Sequence, residues 1–287
     1  MTKLAGEVLF KNHQFMNISE FHEEIPEDQS VYEVLRVING IPLFLTEHLN
    51  RLYISLKILN LKDSFDLSSL RDLEDSIRTL ISRNSLKNAN LKIIVTHFNG
   101  QRSLNCYGFF IPGNYPPKSF YEIGVDTILY HGTRENPNAK VYQSEFREAV
   151  AKKLAETHAY EALLVNESGE ISEGSRSNVF FVKNRIVYTP PAKQVLLGIT
   201  REKILQLMED HHIPFEVAPI YEKDLSRMSG AFMTGTSPKV LPIKKINGCT
   251  YPSAANRCVQ KIMHLYNSLI EREIRDGELF QHPRKGS

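Results

Sequence analysis

The chain has 287 residues, enough for one large or two ordinary domain cores. Hydrophobic residues make up 41% and charged residues 24%, the balance of a soluble globular protein and not of a disordered one. With 35 basic against 33 acidic residues, net +2, there is no long basic run to mark a nucleic-acid surface and no apolar stretch near the ~20 residues of a membrane helix, so neither partner is expected.

Along the chain, the opening Met-Thr-Lys-Leu-Ala-Gly lacks the apolar core of a signal peptide. Val31 to Ile38 reads as a strand, and Asn39-Gly40 as a hairpin turn into Ile41 to Leu45. Thr46 reads as the N-cap of a helix with Leu49, Leu52, Leu56 and Leu59 at helical spacing. A second helix is expected from Leu67 to Asn84, and strands from Leu91 to Phe98 and Leu104 to Ile111. Pro112-Gly113-Asn114-Tyr115-Pro116-Pro117 breaks the composition. A boundary is expected there, with 1–115 a smaller N-terminal α+β domain and 116–287 a larger C-terminal one.

Beyond it, a strand at Val125 to Tyr130 and an irregular Gly132 to Ala139 lead to Lys140 and a helix reaching about His158. Phe146, Ala149, Val150 and Leu154 share one face of that helix. Strands follow at Glu161 to Asn166, Val179 to Val182 and Ile186 to Thr189. A helix opens at Gly198-Ile199-Thr200 and ends near His211. Then come a strand Phe215 to Pro219, a short helix near Asp224, strands Ala231 to Thr234 and Val240 to Ile246, and a helix from about Ser253 to Arg275 before a polar tail. Strands and helices mix without regular βαβ alternation, so the class is α+β. Cys106, Cys249 and Cys258 are scattered, which argues for a reducing cytoplasm and gives no zinc-ligand spacing; no metal is expected.

Five features can carry chemistry. Gly198-Ile199-Thr200 offers helix-start N–H groups and a hydroxyl, a cradle for phosphate or simply a capped helix. Thr234-Gly235-Thr236-Ser237 sets a glycine among hydroxyls, for close approach to a ligand or as a surface turn. Arg51 sits off the leucine stripe, facing either an anion or water. Glu173 lies among Gly174, Ser175, Arg176, Ser177 and Asn178, poised to pair with a protonated heterocycle or merely part of a hairpin loop. Lys140 follows the unusual Asn136-Pro137-Asn138-Ala139; a Schiff-base lysine needs a desolvated amine, which sequence does not display.

The order of these pieces resembles the class IV aminotransferases, the fold-type IV pyridoxal-phosphate enzymes. The resemblance rests on Val31-Tyr32-Glu33-Val34, Glu47-His48-Leu49-Asn50-Arg51-Leu52, Lys140, Glu173-Gly174 with Ser177-Asn178-Val179-Phe180, Gly198-Ile199-Thr200-Arg201, and Thr234-Gly235-Thr236-Ser237 followed by Pro242. It spans roughly residues 30 to 250. It implies a two-domain α+β fold like that of D-amino acid aminotransferase, with pyridoxal 5′-phosphate in the C-terminal domain, an active site between domains and a homodimer. Lys140 would carry the cofactor as a Schiff base and shuttle a proton, and Glu173 would keep the pyridine nitrogen protonated. Arg51, Ile199, Thr200 and Thr236 would grip the phosphate, with Ser177, Asn178, Leu196, Gly198, Gly235 and Ser237 around the cofactor. Tyr32 would stand on the substrate side.

Two departures stand out. Several branched-chain members carry a tyrosine shortly after the lysine; here Glu145 falls near that spacing and Tyr142 is closer in. D-amino acid members carry a carboxylate-binding arginine at the end of the strand that here reaches His97, a weaker anchor, so Arg134 or Arg176 becomes the substitute candidate. The resemblance implies an aminotransferase working on an amino acid and a 2-oxo acid, branched-chain first and D-amino acid second. An aminodeoxychorismate lyase and a catalytically silent binding protein are the alternatives.

Overall fold

The structure is a computed structural model describing residues 3–28, 30–61, 67–97 and 104–281. The chain forms two compact units: Met1–Asn114 with Ala139–Gln143 and Ile270–Ser287, and Tyr115–Asn138 with Ser144–Leu269.

The first unit is built on six antiparallel strands, β1 (Ala5–Lys11), β2 (Gln14–Asn17), β3 (Val31–Ile38), β4 (Ile41–Pro42), β5 (Ala89–His97) and β6 (Leu104–Ile111), ordered β2-β1-β6-β5-β3-β4. Asn39 and Gly40 take φ of +52° and +80°, as a two-residue hairpin turn requires, and join β3 to β4. Helices α1 (Leu45–Ile58) and α2 (Leu67–Arg83) put Leu49, Leu52, Leu56, Leu73, Ile77 and Leu80 into one core with Val31, Leu35, Leu91, Ile93 and Phe110. Full burial of a leucine such as Leu52 contributes about 2 kcal/mol. The alternate residues Tyr32, Ile94, Tyr107 and Phe109 form a separate cluster, as the pleat demands. Glu33 and Tyr32, adjacent in sequence, therefore point to opposite faces.

Several details differ from the sequence reading. β4 stops at Pro42 and does not reach Leu45, because the chain turns at once into α1. The residue before α1 is Phe44, in the left-handed region (φ +54°), and Thr46 lies inside the first turn and not at the N-cap. Phe44 N donates to Glu273 Oε1 at 3.3 Å, so a distant carboxylate meets a backbone donor at this helix start. Phe98 and the tail beyond Gln281 lie outside the described residues. The helix expected to follow Lys140 begins only at Ser144. Residues 139–143 run extended beside the start of β3, with a Val31–Val141 bridge and bonds from Tyr32 N to Lys140 O (3.0 Å) and Tyr142 N to Ser30 O (2.9 Å). These bonds fold the segment into the first unit although it follows the proline-rich break.

The second unit holds β7 (Val125–His131), β8 (Glu161–Val165), β9 (Ile171–Gly174), β10 (Asn178–Lys183), β11 (Ile186–Thr189), β12 (Phe215–Val217), β13 (Gly230–Gly235), β14 (Lys239–Ile246) and β15 (Cys249–Thr250). The order is β12-β11-β10-β13-β14-β7-β8-β9, with β15 on β14. The pairs β11–β12, β14–β7 and β7–β8 are parallel, so this mixed sheet differs in kind from the first. Helices α3 (Lys118–Ile123), α4 (Ser144–Thr157) and α5 (Ile199–Asp210) belong to it, and α6 (Arg257–Gln281) closes the chain. The short α3 was not anticipated, nor was β9, where the sequence suggests a loop. On α4 only Val150 of the expected apolar face is buried, and Ala149 is exposed. No described helix is long and apolar enough to cross a membrane.

Candidate functional site

In the first unit the sequence-predicted residues are Tyr32, Arg51 and Lys140. Arg51 is on α1 and buried, not solvated. It faces Glu33 of β3 in a bidentate pair, Nε to Oε1 and the terminal nitrogen to Oε2, both 2.7 Å. His48 Nδ1 meets the same Oε2 at 2.7 Å, one turn earlier on α1. Burial pushes the Glu33 carboxyl up, but the Arg51 charge and hydrogen bonds, helped by His48, outweigh it and hold the group down to about 2. Burial lowers the His48 imidazole against the opposing pull of Glu33. The result is a fixed anion between two basic side chains, with the guanidinium plane locked. Such rigidity suits a residue that must present N–H groups to an anionic ligand in one orientation.

Lys140 is positioned through its backbone. Its N–H donates to Ser55 Oγ of α1 at 3.1 Å, and its carbonyl accepts from Tyr32 N. Its ammonium stands over the Tyr32 ring, 4.6 Å from the centroid. The structure thus brings Lys140 and Tyr32 together. The His97 side chain lies outside the described residues.

In the second unit Glu173 closes β9, buried to 2% exposure. Its Oε2 accepts from Leu196 N at 3.0 Å, and its Oε1 lies 3.3 Å from Arg134 Nε in an ion contact. Arg134 also donates to Ser175 O at 3.0 Å. Asn178 donates to Leu196 O at 2.8 Å, so both polar groups of Leu196 are gripped from the β9–β10 turn. A Cβ on Gly198 would fall 2.0 Å from Asn178 Oδ1, which explains the glycine at this close approach. Gly198 is the residue before α5 and no side chain caps the helix; the first bond is Glu202 N to Gly198 O at 2.9 Å. Ile199 and Thr200 are buried at that start, and Thr200 Oγ1 lies 3.3 Å from Tyr266 OH. A buried, uncapped helix start with orphan N–H donors matches the chemistry of a phosphate group.

Gly235 ends β13, and the turn Thr236-Ser237 is half-buried; β13 runs beside β10 with Thr234 paired to Asn178. Ser177 Oγ binds Glu161 at 3.1 Å and serves the turn itself. Arg176 is exposed, and its backbone N–H donates to Glu161 Oε2 at 3.3 Å.

Sequence reasoning gave no role to Glu33, His48, Ser55, Glu161 or Asn138. Glu33 and Glu161 carried a signal, a carboxylate at an inward strand position, which cannot stay buried unpartnered. Asn138, holding Ala192 O (2.8 Å) and Val195 O (2.9 Å), carried none, because its partners lie more than fifty residues away.

The model of the amino-transferase class IV family matches residues 30–246. The D-alanine aminotransferase of Bacillus licheniformis is 31% identical over 282 residues, covering 92% of this chain and 97% of the relative. A probable branched-chain-amino-acid aminotransferase of Rickettsia conorii is 29% identical, covering 82% of this chain and 83% of its own. A hypothetical aminotransferase from Mycobacterium tuberculosis in its PLP-bound form shares the fold, with TM-score 0.78, 18% identity, and coverage of 92% of this chain and 98% of that one.

Proposed function

The chain belongs to the class IV aminotransferases, and from that premise we propose that it moves an amino group between an amino acid and a 2-oxo acid with pyridoxal 5′-phosphate held at Lys140. The observation that carries the reading is the placement of Lys140: backbone pinned by Ser55 and Tyr32, ammonium over the Tyr32 ring. When bound, the cofactor supplies an aldehyde for the amino group and a ring that accepts electrons. Lys140 Nζ would hold the cofactor and would move the proton of the substrate α-carbon. Glu173, kept rigid by Leu196 N and Arg134, would hold a proton on the ring nitrogen. The start of α5, at Ile199 and Thr200, would bind the cofactor's phosphate with N–H groups and hydroxyl, and Thr236 and Arg51 are the further groups proposed for it. Ser177, Asn178, Leu196, Gly198, Gly235 and Ser237 shape these surroundings.

Branched-chain amino acids are the first donors we propose and D-amino acids the second, the two classes named among the relatives. The lyase reading has no observation in its favour. A homodimer in the cytoplasm is the proposed setting, the latter from three free thiols in the described chain. The test is a panel of L- and D-amino donors against 2-oxoglutarate and pyruvate. Transfer from L-leucine, L-isoleucine or L-valine supports the reading; release of pyruvate and p-aminobenzoate from aminodeoxychorismate, with no transfer to any 2-oxo acid, overturns it.

A further inference from the structure

We infer that Lys92 anchors the carboxylate of the amino donor, an inference that rests on the aminotransferase reading above. Lys92 lies on β5 opposite Val34, and its neighbour Ile94 lies opposite Tyr32. Lys92 and Tyr32 are therefore diagonal neighbours on one face of the sheet, within reach of long side chains. The Lys92 ammonium stands 5.7 Å from the Tyr32 centroid and 5.1 Å from that of Tyr142. Lys140 stands 4.6 Å from the same Tyr32 ring. Two ammonium groups thus share one aromatic ring.

A lysine is rarely buried unless paired, and Lys92 is only 5% exposed. Its partner is Glu27 Oε2 at 2.8 Å, so this ammonium already grips a carboxylate in a largely desolvated place. Every amino acid and 2-oxo acid brings a carboxylate close to the reacting carbon, and a cation near Lys140 would bind it by charge. Of the sequence candidates for that task, Arg134 is held on Glu173 and Ser175 O, Arg176 is exposed, and the His97 side chain lies outside the described residues. Among the described residues Lys92 is a buried cation beside Tyr32, and Glu27 is the internal carboxylate with which the donor competes.

A plain structural ion pair predicts something different, which makes the inference testable. The holoenzyme is titrated calorimetrically with 3-methylbutanoate, a branched carboxylate without an amino group, in wild type, Lys92→Met, Lys92→Arg and Glu27→Gln. Lys92→Met is expected to weaken binding roughly 10- to 100-fold, the size of one charge-assisted hydrogen bond. Lys92→Arg should recover most of it, and Glu27→Gln should bind as wild type or tighter. A merely structural pair would make Glu27→Gln and Lys92→Met lose alike, and that result, or unchanged binding in Lys92→Met, overturns the inference. If Lys92→Met does not fold, Lys92→Gln, which keeps a donor for Glu27 and loses the charge, takes its place with the same expected loss. Failure of the aminotransferase reading shows separately, as wild type inactive across the donor panel while the titration still reports on Lys92.

Discussion

In the first unit buried charge is held by opposite charge. Glu33 lies between Arg51 and His48, and Lys92 against Glu27, side chain to side chain across elements. In the second unit Glu173 also keeps an ion contact with Arg134, but the buried Glu161 is held by dipoles alone. Its two oxygens accept from Ala162 N (2.9 Å), Ser175 Oγ (2.6 Å), Ser177 Oγ (3.1 Å) and Arg176 N (3.3 Å), all but the first from one turn. The difference is one of failure mode. Removing one member of an ion pair strands a buried charge, whereas removing one hydroxyl from a multiply bonded carboxylate leaves the others in place.

The largest effect is expected at Lys140 of the first unit, the proposed carrier of the cofactor. Lys140→Ala should lower amino transfer at least ~10²- to 10⁴-fold, the range of a lost acid–base group, and borohydride should no longer fix the cofactor to the chain. Persistence of that fixation would move the role to another lysine.

Next comes Glu33→Ala, which leaves Arg51 and His48 facing each other in a buried site. A loss of about 3–5 kcal/mol in denaturant unfolding is expected. The pH dependence follows from the same cluster. Glu33 titrates at about 2 in the fold against an ordinary 4.5, so its contribution is present above 4.5 and is lost as pH falls toward 2. His48 is also shifted below its ordinary 6.5, so unfolding takes up a proton there and stability begins to drop as pH falls below 6.5. Both groups act in the same direction. Unfolding followed from pH 7 to 3 should show a shallower acid slope in Glu33→Gln than in wild type, and equal slopes would remove the cluster as the source.

The same contrast explains what could be read from sequence. The β9–β10 turn is local: Glu173, Gly174, Ser177 and Asn178 lie within six residues, so their chemistry shows in the text even though β9 itself was expected to be loop. β3 and β6 were legible to the residue from alternation and turn signals. Arg51 was legible only as a position. Its burial depends on Glu33, eighteen residues earlier and on another element. A helix was expected to follow Lys140 directly, because the pattern after it is helical, but backbone bonds to Ser30 and Tyr32, more than a hundred residues away, hold residues 139–143 extended and the helix begins at Ser144. Pairings at such separation leave no periodic trace.

Glu161→Gln sharpens the contrast from the other side. The amide keeps the shape, loses the charge and can still accept at one oxygen, so a cost of about 1–3 kcal/mol is expected, clearly below that of Glu33→Ala. A loss as large as that of Glu33→Ala, in the same unfolding measurement, would end the distinction between the two modes.

The smallest effect is expected at Asn178, and it tests how the turn reaches the start of α5. Asn178→Ala removes the bond to Leu196 O, worth about 1 kcal/mol. Gly198→Ala alone should cost about 1–3 kcal/mol, because the new Cβ would sit 2.0 Å from Asn178 Oδ1. The two changes oppose each other: without the Asn178 amide the added methyl has room. The double variant should therefore be more stable than the sum of the singles by at least ~0.5 kcal/mol, the coupling of residues in contact. Strict additivity would mean that Gly198 is needed for its backbone and not for the approach of Asn178. The glycine before α5 would then owe nothing to the turn that carries Glu173.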